Sequence, residues 1–278
     1  MEKIQNYIGG EFVGPNAVQY FDNVEPATGN VYSQIPNSQQ EDVEQAIEAA
    51  KKAFPIWSNM SIEERGDWMM KIADGIKARM DEFVVAESKD NGKPLKLARH
   101  VDIPRAVSNF KFFATGIQHF ASESHNMVGV GINYTLRKPL GVVGCISPWN
   151  LPLYLFTWKI APALAAGNCV VAKPSEVTPY TAYLLCKVME DVGFPKGVLN
   201  IVHGFGQYAG DAIVRHKDTK AISFTGGTAT GKAIASIAAP MFKKLSLELG
   251  GKNPNIIFDD CDFDEMLNTT IRSSFANQ

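Results

Sequence analysis

The sequence predicts an α/β protein in which a mostly parallel β-sheet carries helices on both faces. After Leu140, short apolar segments alternate with amphipathic helical segments, which is the pattern of βαβ units. The chain of 278 residues is 45% hydrophobic and 20% charged, as in ordinary globular proteins with a substantial core. Ligands of such sheets bind at the carboxyl ends of the strands, so the loops that follow the strands are the candidate site.

The part of the chain before Gly131 predicts strand pairs followed by helices. NYIGGEFVG is typical of a short hairpin with its Gly-Gly pair at the turn, and NVEPATGNVYSQIP of a second turn and strand. A helix is predicted after a cap at Ser38, and a second after a capping box of Ser61 and Glu64. Two more are predicted in DEFVVAESKDN and KLARHVDIPRAVSNFKFFATGIQHFA, the latter broken or kinked at Pro104.

The segment from Gly131 to Leu140, GINYTLRKPL, has the alternation of a strand and several polar side chains. It is either a strand outside the main core that pairs with another subunit or a plain surface hairpin. Both interpretations stay open on these residues.

After Leu140 the alternation of strands and helices is regular. Strands are predicted in GVVGCIS, CVVAKP, VLNIVHG, KAISFTG and KKLSLELGG, and helices in LYLFTWKIAPALAAG, TPYTAYLLCKVMEDVG, QYAGDAIVRH and TATGKAIASIAA. Parallel strands place four loops at one rim of the sheet: SPWN, KPSE, HGFGQYAG and TGGTATG.

Composition excludes several classes of protein. A formal net charge of −2 gives no support to nucleic-acid binding, which usually needs a basic domain. The four cysteines lie far apart without C-x-x-C spacing, which favours reduced thiols in a cytoplasmic protein over a metal site or disulfides. No signal peptide is predicted, and polar residues and prolines interrupt the apolar region from Leu140 to Ala172 before the ~20 residues that a membrane span needs.

The TGGTATGK loop follows a predicted strand and opens a helix, so its backbone N–H groups can face an anion. A nucleotide-triphosphate P-loop would carry a Mg²⁺-binding hydroxyl where this chain has Ala233. A Gly-rich turn with Thr228 as helix cap is the plainer alternative. The loop alone does not decide between them.

Charged and amide side chains lie in three of the strand-end segments. The Glu176 carboxylate can accept hydrogen bonds from ribose hydroxyls and repels a 2′-phosphate, although a solvated ion pair with Lys173 is the plainer interpretation. Glu248 lies among apolar and Gly residues, which suits a general base, although a salt-bridged strand end is the alternative. The Asn150 amide can stabilise an oxyanion or simply cap the following helix.

Four segments in this order, ISPWNLPLYLFTWKIAPALAAGN, VAKPSEVTP, ISFTGGTATGK and LSLELGGKNPNIIF, resemble the NAD(P)-dependent aldehyde dehydrogenase superfamily. The resemblance covers the whole chain. Within the superfamily, these segments are most similar to those of the branch that acts on muconic-type semialdehydes. The resemblance implies a Rossmann-like, doubly wound NAD-binding domain in residues 1–125 and 141–250, with an oligomerisation strand in 126–140. Residues 251–278 would begin a second α/β domain, the catalytic one.

The resemblance also implies roles for individual residues. Asn150 would hold the oxyanion, Glu248 would activate water, and Lys159 would serve a proton relay. By matching position, the NAD contacts would come from Ile146, Ser147, Pro148, Trp149, Lys173, Ser175, Glu176, Gly206, Phe224, Thr225, Gly226, Gly227, Thr230 and Leu249. NAD is favoured over NADP, no metal is implied, and the partners would be a small aldehyde and further copies of the chain.

The sequence departs from the family pattern at two points, and both affect the activity expected of this chain. Many relatives carry Ser where Gly227 stands, so one hydroxyl contact to phosphate is expected to be missing. The family's nucleophilic cysteine follows a segment like FANQ, and none of Cys145, Cys169, Cys186 or Cys261 has a matching position.

This chain alone is therefore expected to be inactive and poorly soluble, as the NAD-binding part of a dehydrogenase. The alternative is a non-catalytic nucleotide-binding or interaction protein that ends at Gln278.

Overall fold

A computed structural model describes residues 1–277, and a seven-stranded sheet forms its centre. The strands are β1 (Glu2–Lys3), β2 (Asn6–Ile8), β3 (Glu11–Val13), β4 (Tyr20–Val24), β5 (Val31–Pro36), β6 (Ser124–Met127), β7 (Gly131–Tyr134), β8 (Val142–Ile146), β9 (Cys169–Lys173), β10 (Leu199–Ile201), β11 (Thr219–Thr225) and β12 (Lys244–Glu248). The central order is β12-β11-β8-β9-β10-β2-β3. The first five of these run parallel, and the N-terminal hairpin adds an antiparallel edge.

The helices are α1 (Gln40–Asn59), α2 (Ile62–Ala78), α3 (Met80–Asn91), α4 (Leu95–Leu97), α5 (Ile103–Gly116), α6 (Pro152–Ala165), α7 (Tyr180–Asp191), α8 (Asp211–Arg215), α9 (Thr228–Ala238) and α10 (Phe263–Phe275). Consecutive residues of β8 show that helices cover both faces of the sheet. A Cβ added at Gly144 would meet Ile213 of α8 at 2.5 Å, whereas the Cys145 thiol reaches the carbonyl of Lys159 in α6. The predicted doubly wound α/β class is confirmed.

Strand register brings the predicted site segments together. All residues of β8 and β9 are buried, as expected for central parallel strands covered on both faces. Ile146 is paired with Lys173 on one side and Phe224 on the other, and Thr225 is paired with Glu248. The four strands therefore end at the same rim.

Local signals set most helix boundaries. The Ser61–Glu64 capping box is present, with the Glu64 N–H donating to Ser61 Oγ at 3.1 Å and the Ser61 N–H to Glu64 Oε2 at 2.9 Å. The predicted Ser38 cap is wrong: Gln39 caps α1, because buried Ser38 accepts a hydrogen bond from Asn6 instead. A π-helical turn separates α4 from α5, and Pro104 lies in the first turn of α5, where its missing N–H costs little.

The hairpin β6–β7 stands apart from the central sheet. Its strands pair antiparallel with each other, and every residue in both strands is exposed. The predicted strand is therefore one arm of a hairpin, and residues 135–140 have no regular structure. Large apolar side chains remain on this surface, among them Val128, Val130 and Ile132, which are 90%, 78% and 73% exposed.

The last part of the described chain leaves the central sheet. Residues 249–258 have no regular structure, and α10 begins after an Asp262 cap that accepts the Glu265 N–H. No residue of α10 is buried. Within residues 1–277, no helix is both long and apolar enough to cross a membrane.

Candidate functional site

A cleft of about 760 Å³ opens at the carboxyl ends of β8, β9 and β11 and continues between α8 and α9. It is lined by Ile146, Ser147, Pro148, Trp149, Lys173, Ser175, Glu176, Phe205, Gly206, Gln207, Gly210, Asp211, Val214, Phe224, Thr225, Gly226, Gly227, Ala229, Thr230, Ala233, Ile234 and Ile237. All the residues that the resemblance implied for the cofactor are in this lining except Leu249. Leu249 instead packs against α9, where a Cβ added at Gly231 would meet its side chain at 2.4 Å.

An ordered ion pair forms one wall of the cleft. The Lys173 side chain is 2% exposed, and its Nζ lies 2.9 Å from Glu176 Oε2, from the Pro174 carbonyl and from the Gly204 carbonyl. Burial lowers the pKa of Lys173, and the Glu176 charge opposes that shift. Burial alone would raise the pKa of Glu176, but the Lys173 ammonium and backbone N–H groups hold it below its usual range. Glu176 is therefore an ionised acceptor at the rim.

The same geometry qualifies the expected role of Lys173. An ammonium has three N–H donors, and three oxygens of this chain already accept them. Any ribose contact would have to share one of these donors. The geometry thus makes Lys173 the group that orients Glu176.

The glycine-rich loop ends at the N-terminus of α9. Gly227 is the N-cap, so no cap side chain occupies the first-turn N–H groups of this helix. The Gly226 N–H donates to the Glu248 carbonyl at 3.0 Å, which ties the loop to β12. A Cβ at Gly226 would lie 2.5 Å from the Phe224 ring, whereas one at Gly227 would meet nothing within 4 Å. The free helix end faces the cleft and suits an anion.

Sequence reasoning missed the far part of the cleft, on α8 and α9. These residues are Asp211, Val214, Ala233, Ile234 and Ile237, whereas Phe205, Gln207, Gly210 and Ala229 lie in the predicted rim loops HGFGQYAG and TGGTATG. The spacing of Ala229, Ala233 and Ile237 at i, i+4 and i+8 was the available signal for one face of α9. An apolar slot of this kind suits a flat heterocycle.

The three predicted catalytic residues lie outside the cleft lining, at or below the same rim. Lys159 is buried, with Nζ 3.4 Å from Ser223 Oγ. Burial lowers the pKa of Lys159, and the Glu248 carboxylate opposes that shift. Asn150 is half-buried in the loop between β8 and α6.

The prediction that Glu248 lies among apolar neighbours is wrong within the described residues. Glu248 is exposed, because β12 is the outermost strand of the sheet and its residues alternate between exposed and half-buried. Within residues 1–277 it forms no ion pair. Its assignment as a base stays a prediction.

The thiols do not approach this site as nucleophiles. Burial raises the pKa of Cys145 and of Cys169 to about 12, and raises that of Cys186 well above its usual value. Cys261 is exposed, in the segment before α10. In the part of the chain that the structure describes, no group of three or more His, Cys, Asp or Glu side chains could hold a metal ion.

Comparisons with known proteins agree on one family. The sequence profile of the aldehyde dehydrogenase family matches residues 12–278. The chain is 55% identical to 2-aminomuconic semialdehyde dehydrogenase of Danio rerio over 276 residues, which is 99% of this chain and 56% of that protein. It is 49% identical to 2-hydroxymuconic semialdehyde dehydrogenase of Pseudomonas sp. (strain CF600) over 283 residues, 100% of this chain and 58% of that protein.

Solved structures show the same relationship. An aldehyde dehydrogenase from Bacillus cereus in complex with NAD⁺ is 40% identical with a TM-score of 0.95, over 98% of this chain and 56% of that one. PnpE from Pseudomonas sp. WBC-3, in complex with nicotinamide adenine dinucleotide, is 41% identical with a TM-score of 0.96, over 100% of this chain and 57% of that one. The chain spans little more than half the length of these relatives.

Proposed function

The chain belongs to the aldehyde dehydrogenase family, and from that premise we propose that it supplies the NAD-binding part of an enzyme that oxidises an aldehyde to the carboxylate. The observation that carries the proposal is the cleft, which is lined by an apolar slot, an ionised carboxylate and a free helix end. These suit the adenine, the ribose and the pyrophosphate of a dinucleotide.

The residues present fit NAD better than NADP. Glu176 would accept the ribose hydroxyls, and its negative charge disfavours a 2′-phosphate at the same place. The first turn of α9 would face the pyrophosphate. When bound, NAD supplies the acceptor for the hydride that leaves the aldehyde carbon.

The chain's own residues would serve the reaction at the same rim. The Asn150 amide N–H would donate to the oxyanion that forms at the aldehyde oxygen. The Glu248 carboxylate, at the end of β12, would take the proton of the attacking water, and no ion pair within residues 1–277 engages it. Lys159, buried behind Ser223, would pass protons beneath the rim.

The thiol nucleophile of this chemistry would come from none of the four cysteines described above. Three are buried, and the fourth lies in the exposed segment before α10. We therefore expect no aldehyde oxidation from the 278-residue chain by itself. Its free cysteines also fit a reducing compartment such as the cytoplasm.

Substrate, domains and assembly are parts of the same proposal. Relatives named for muconic semialdehydes are 45–55% identical to this chain, which favours a muconic-type semialdehyde. We assign residues 1–125 and 141–250 to the NAD-binding domain and 251–278 to the start of the catalytic domain. We assign residues 126–140, which hold most of the exposed β6–β7 hairpin, to pairing with further copies of the chain.

Two measurements test the proposal. Calorimetric titration should show NAD binding to the chain, with tighter binding of NAD than of NADP. The protein purified from its natural source should have an intact mass above 30.4 kDa and form NADH with a semialdehyde. A natural mass of 30.4 kDa with NAD binding but no turnover would favour a non-catalytic nucleotide-binding protein. Failure to bind NAD would overturn both.

A further inference from the structure

A buried cluster of ionisable side chains lies directly behind the loop that carries Asn150. It consists of Lys93, Glu87 and Asp102, and the side chains of all three are fully buried. The Lys93 ammonium lies 2.9 Å from Asp102 Oδ1 and 3.9 Å from Glu87 Oε1. Glu87 comes from α3 and Asp102 from the π-helical turn before α5, so two helical elements meet at this lysine.

The cluster reaches the candidate site through backbone oxygens. Lys93 Nζ donates to the carbonyl of Asn150 at 3.4 Å, and the Asn277 side chain donates to the same oxygen at 3.0 Å. Two residues before Lys93, the Asn91 amide donates to the carbonyl of Trp149 at 2.7 Å. Two consecutive carbonyls of the loop are thus held by residues 91–93.

Stability alone is a weak reason for a lysine at this place. Burying an ammonium costs several kcal/mol, and apolar side chains of similar volume often replace buried ion pairs without loss of stability. A methionine could fill the same volume, but it could not donate to the Asn150 carbonyl. What the charge adds is a directed hydrogen bond to one peptide group.

We propose that Lys93, held between Asp102 and Glu87, is a positioning residue for Asn150. By donating to the carbonyl of Asn150 together with Asn277, it fixes the peptide plane and thus the direction in which the Asn150 side chain leaves the backbone. This rests on the proposed function, in which that side-chain amide stabilises the oxyanion. A donor preset in this way needs no reorganisation during the reaction, and a misplacement of about 1 Å can cost roughly 100-fold in rate.

The first test reads the loop directly, without turnover. Lys93→Met should accelerate hydrogen exchange at the amide of Ser147, which donates to the Lys173 carbonyl at 3.2 Å where the loop begins, measured by mass spectrometry. The matched control is Lys96→Met, which removes an exposed ammonium from α4, three residues further on. Unchanged exchange at the loop in folded Lys93→Met would overturn the proposal.

The second test reads kinetics in the full protein that carries this chain. Lys93→Met should lower kcat roughly 10- to 100-fold and leave the Kd for NAD unchanged. In an Asn150→Ala background the same change should cost less than about 2-fold, because residues that act as one unit are not additive. Equal losses in both backgrounds would show a merely structural role and overturn the proposal.

Two further outcomes keep the tests decisive. If Lys93→Met does not fold, Lys93→Met with Asp102→Asn removes both charges of the closest pair and takes its place in both tests. If the parent protein forms no NADH with any aldehyde, the proposed function fails, and the exchange test still decides whether Lys93 holds the loop.

Discussion

At the scale of single residues, buried ionisable groups decide what this chain can recognise and how it responds to pH. Lys173 donates to three oxygens, and one of them belongs to Glu176, which we propose meets a ribose. Lys173 thus sets the orientation of the Glu176 carboxylate. Because Lys173 holds the Glu176 side chain in place, a substitution that keeps its shape can test the effect of its charge alone.

Glu176→Gln removes the charge and keeps the shape. We expect the ratio of the NADP Kd to the NAD Kd to fall about 10-fold, close to 1.4 kcal/mol, because the repulsion of a 2′-phosphate disappears. Fluorescence titration with both nucleotides measures it. Glu190→Gln, at an exposed glutamate of α7, is the control and should leave the ratio unchanged. An unchanged ratio in Glu176→Gln would exclude this residue from cofactor selection.

Glu87 links stability to pH. Burial raises the pKa of Glu87 to about 8, with Lys93 opposing the shift, so the folded protein keeps its proton where the unfolded chain has lost it. The contribution of protonated Glu87 to the free energy of unfolding is fully present below pH 4.5, its pKa in the unfolded chain. This contribution is lost as the pH rises through about 8, its pKa in the folded protein. We expect the free energy of unfolding to fall between pH 6.5 and 8, by up to about 1.4 kcal/mol per pH unit.

Urea unfolding at several pH values measures this slope, and Glu87→Gln should flatten it. Other buried groups titrate near this window. Burial raises the pKa of Asp90 to about 6, lowers that of Lys243 to about 8, and lowers that of His203 to about 3 from 6.5 in the unfolded chain, so the difference in slope between the parent and Glu87→Gln isolates Glu87. An equal slope in folded Glu87→Gln would contradict the assignment.

At the scale of elements, the turn before α9 contains two glycines with opposite requirements. Gly226 lies against the Phe224 ring, which forms part of the cleft wall, whereas Gly227 faces open space. A side chain is therefore excluded at one position and tolerated at the next. Gly227, where many relatives carry Ser, is the position that tolerates a side chain.

This pair gives a matched prediction. Gly226→Ala should weaken NAD binding by roughly 10-fold, because the new methyl must displace the Phe224 ring from the cleft wall. Gly227→Ser should not weaken NAD binding, because its hydroxyl can turn to the phosphate, and without nucleotide it should add a few tenths of a kcal/mol of stability as an N-cap. Calorimetric titration and thermal unfolding of both variants measure these effects. An equal loss of NAD affinity in both variants would show that any side chain in this loop weakens binding, whether or not it displaces the Phe224 ring.

Elements were predicted where local chemistry governs them. The Ser61 capping box and the buried strands followed from composition and spacing, because caps and burial act within a few residues. The helix cap at Ser38 was predicted wrongly, because the side chain of Asn6, far away in the chain, donates a hydrogen bond to the Ser38 hydroxyl. The slot between α8 and α9 was missed because only the folded chain brings these two helices together.

At the scale of the whole molecule, apolar surface remains open in two places. One is the hairpin, with Val130 and Ile132 at 78% and 73% exposure. The other is the segment through α10, where Phe258, Phe263 and Phe275 are 71%, 66% and 81% exposed. Monomeric proteins rarely carry such surfaces, so the 278-residue chain should self-associate.

Size-exclusion chromatography with light scattering distinguishes the two surfaces. Phe258→Ser with Phe263→Ser should reduce concentration-dependent association of the isolated chain, and Val130→Ser with Ile132→Ser should do so separately. Each apolar side chain removed lowers the association free energy by about 1.5–3 kcal/mol at most. A monodisperse, cooperatively melting monomer of the unmodified chain would contradict the expectation of poor solubility.

The sequence by itself determined the fold class, the order of strands and helices, the family and the loops that meet at one rim of the sheet, because strand periodicity and loop motifs are local properties. Only the tertiary structure decided that Lys173 is saturated by three oxygens, that Glu248 is exposed at an outer strand, and that Lys93 reaches the Asn150 carbonyl. Each of these depends on which distant residues meet in space, and a hydrogen bond or a pKa is set by those neighbours rather than by adjacent letters.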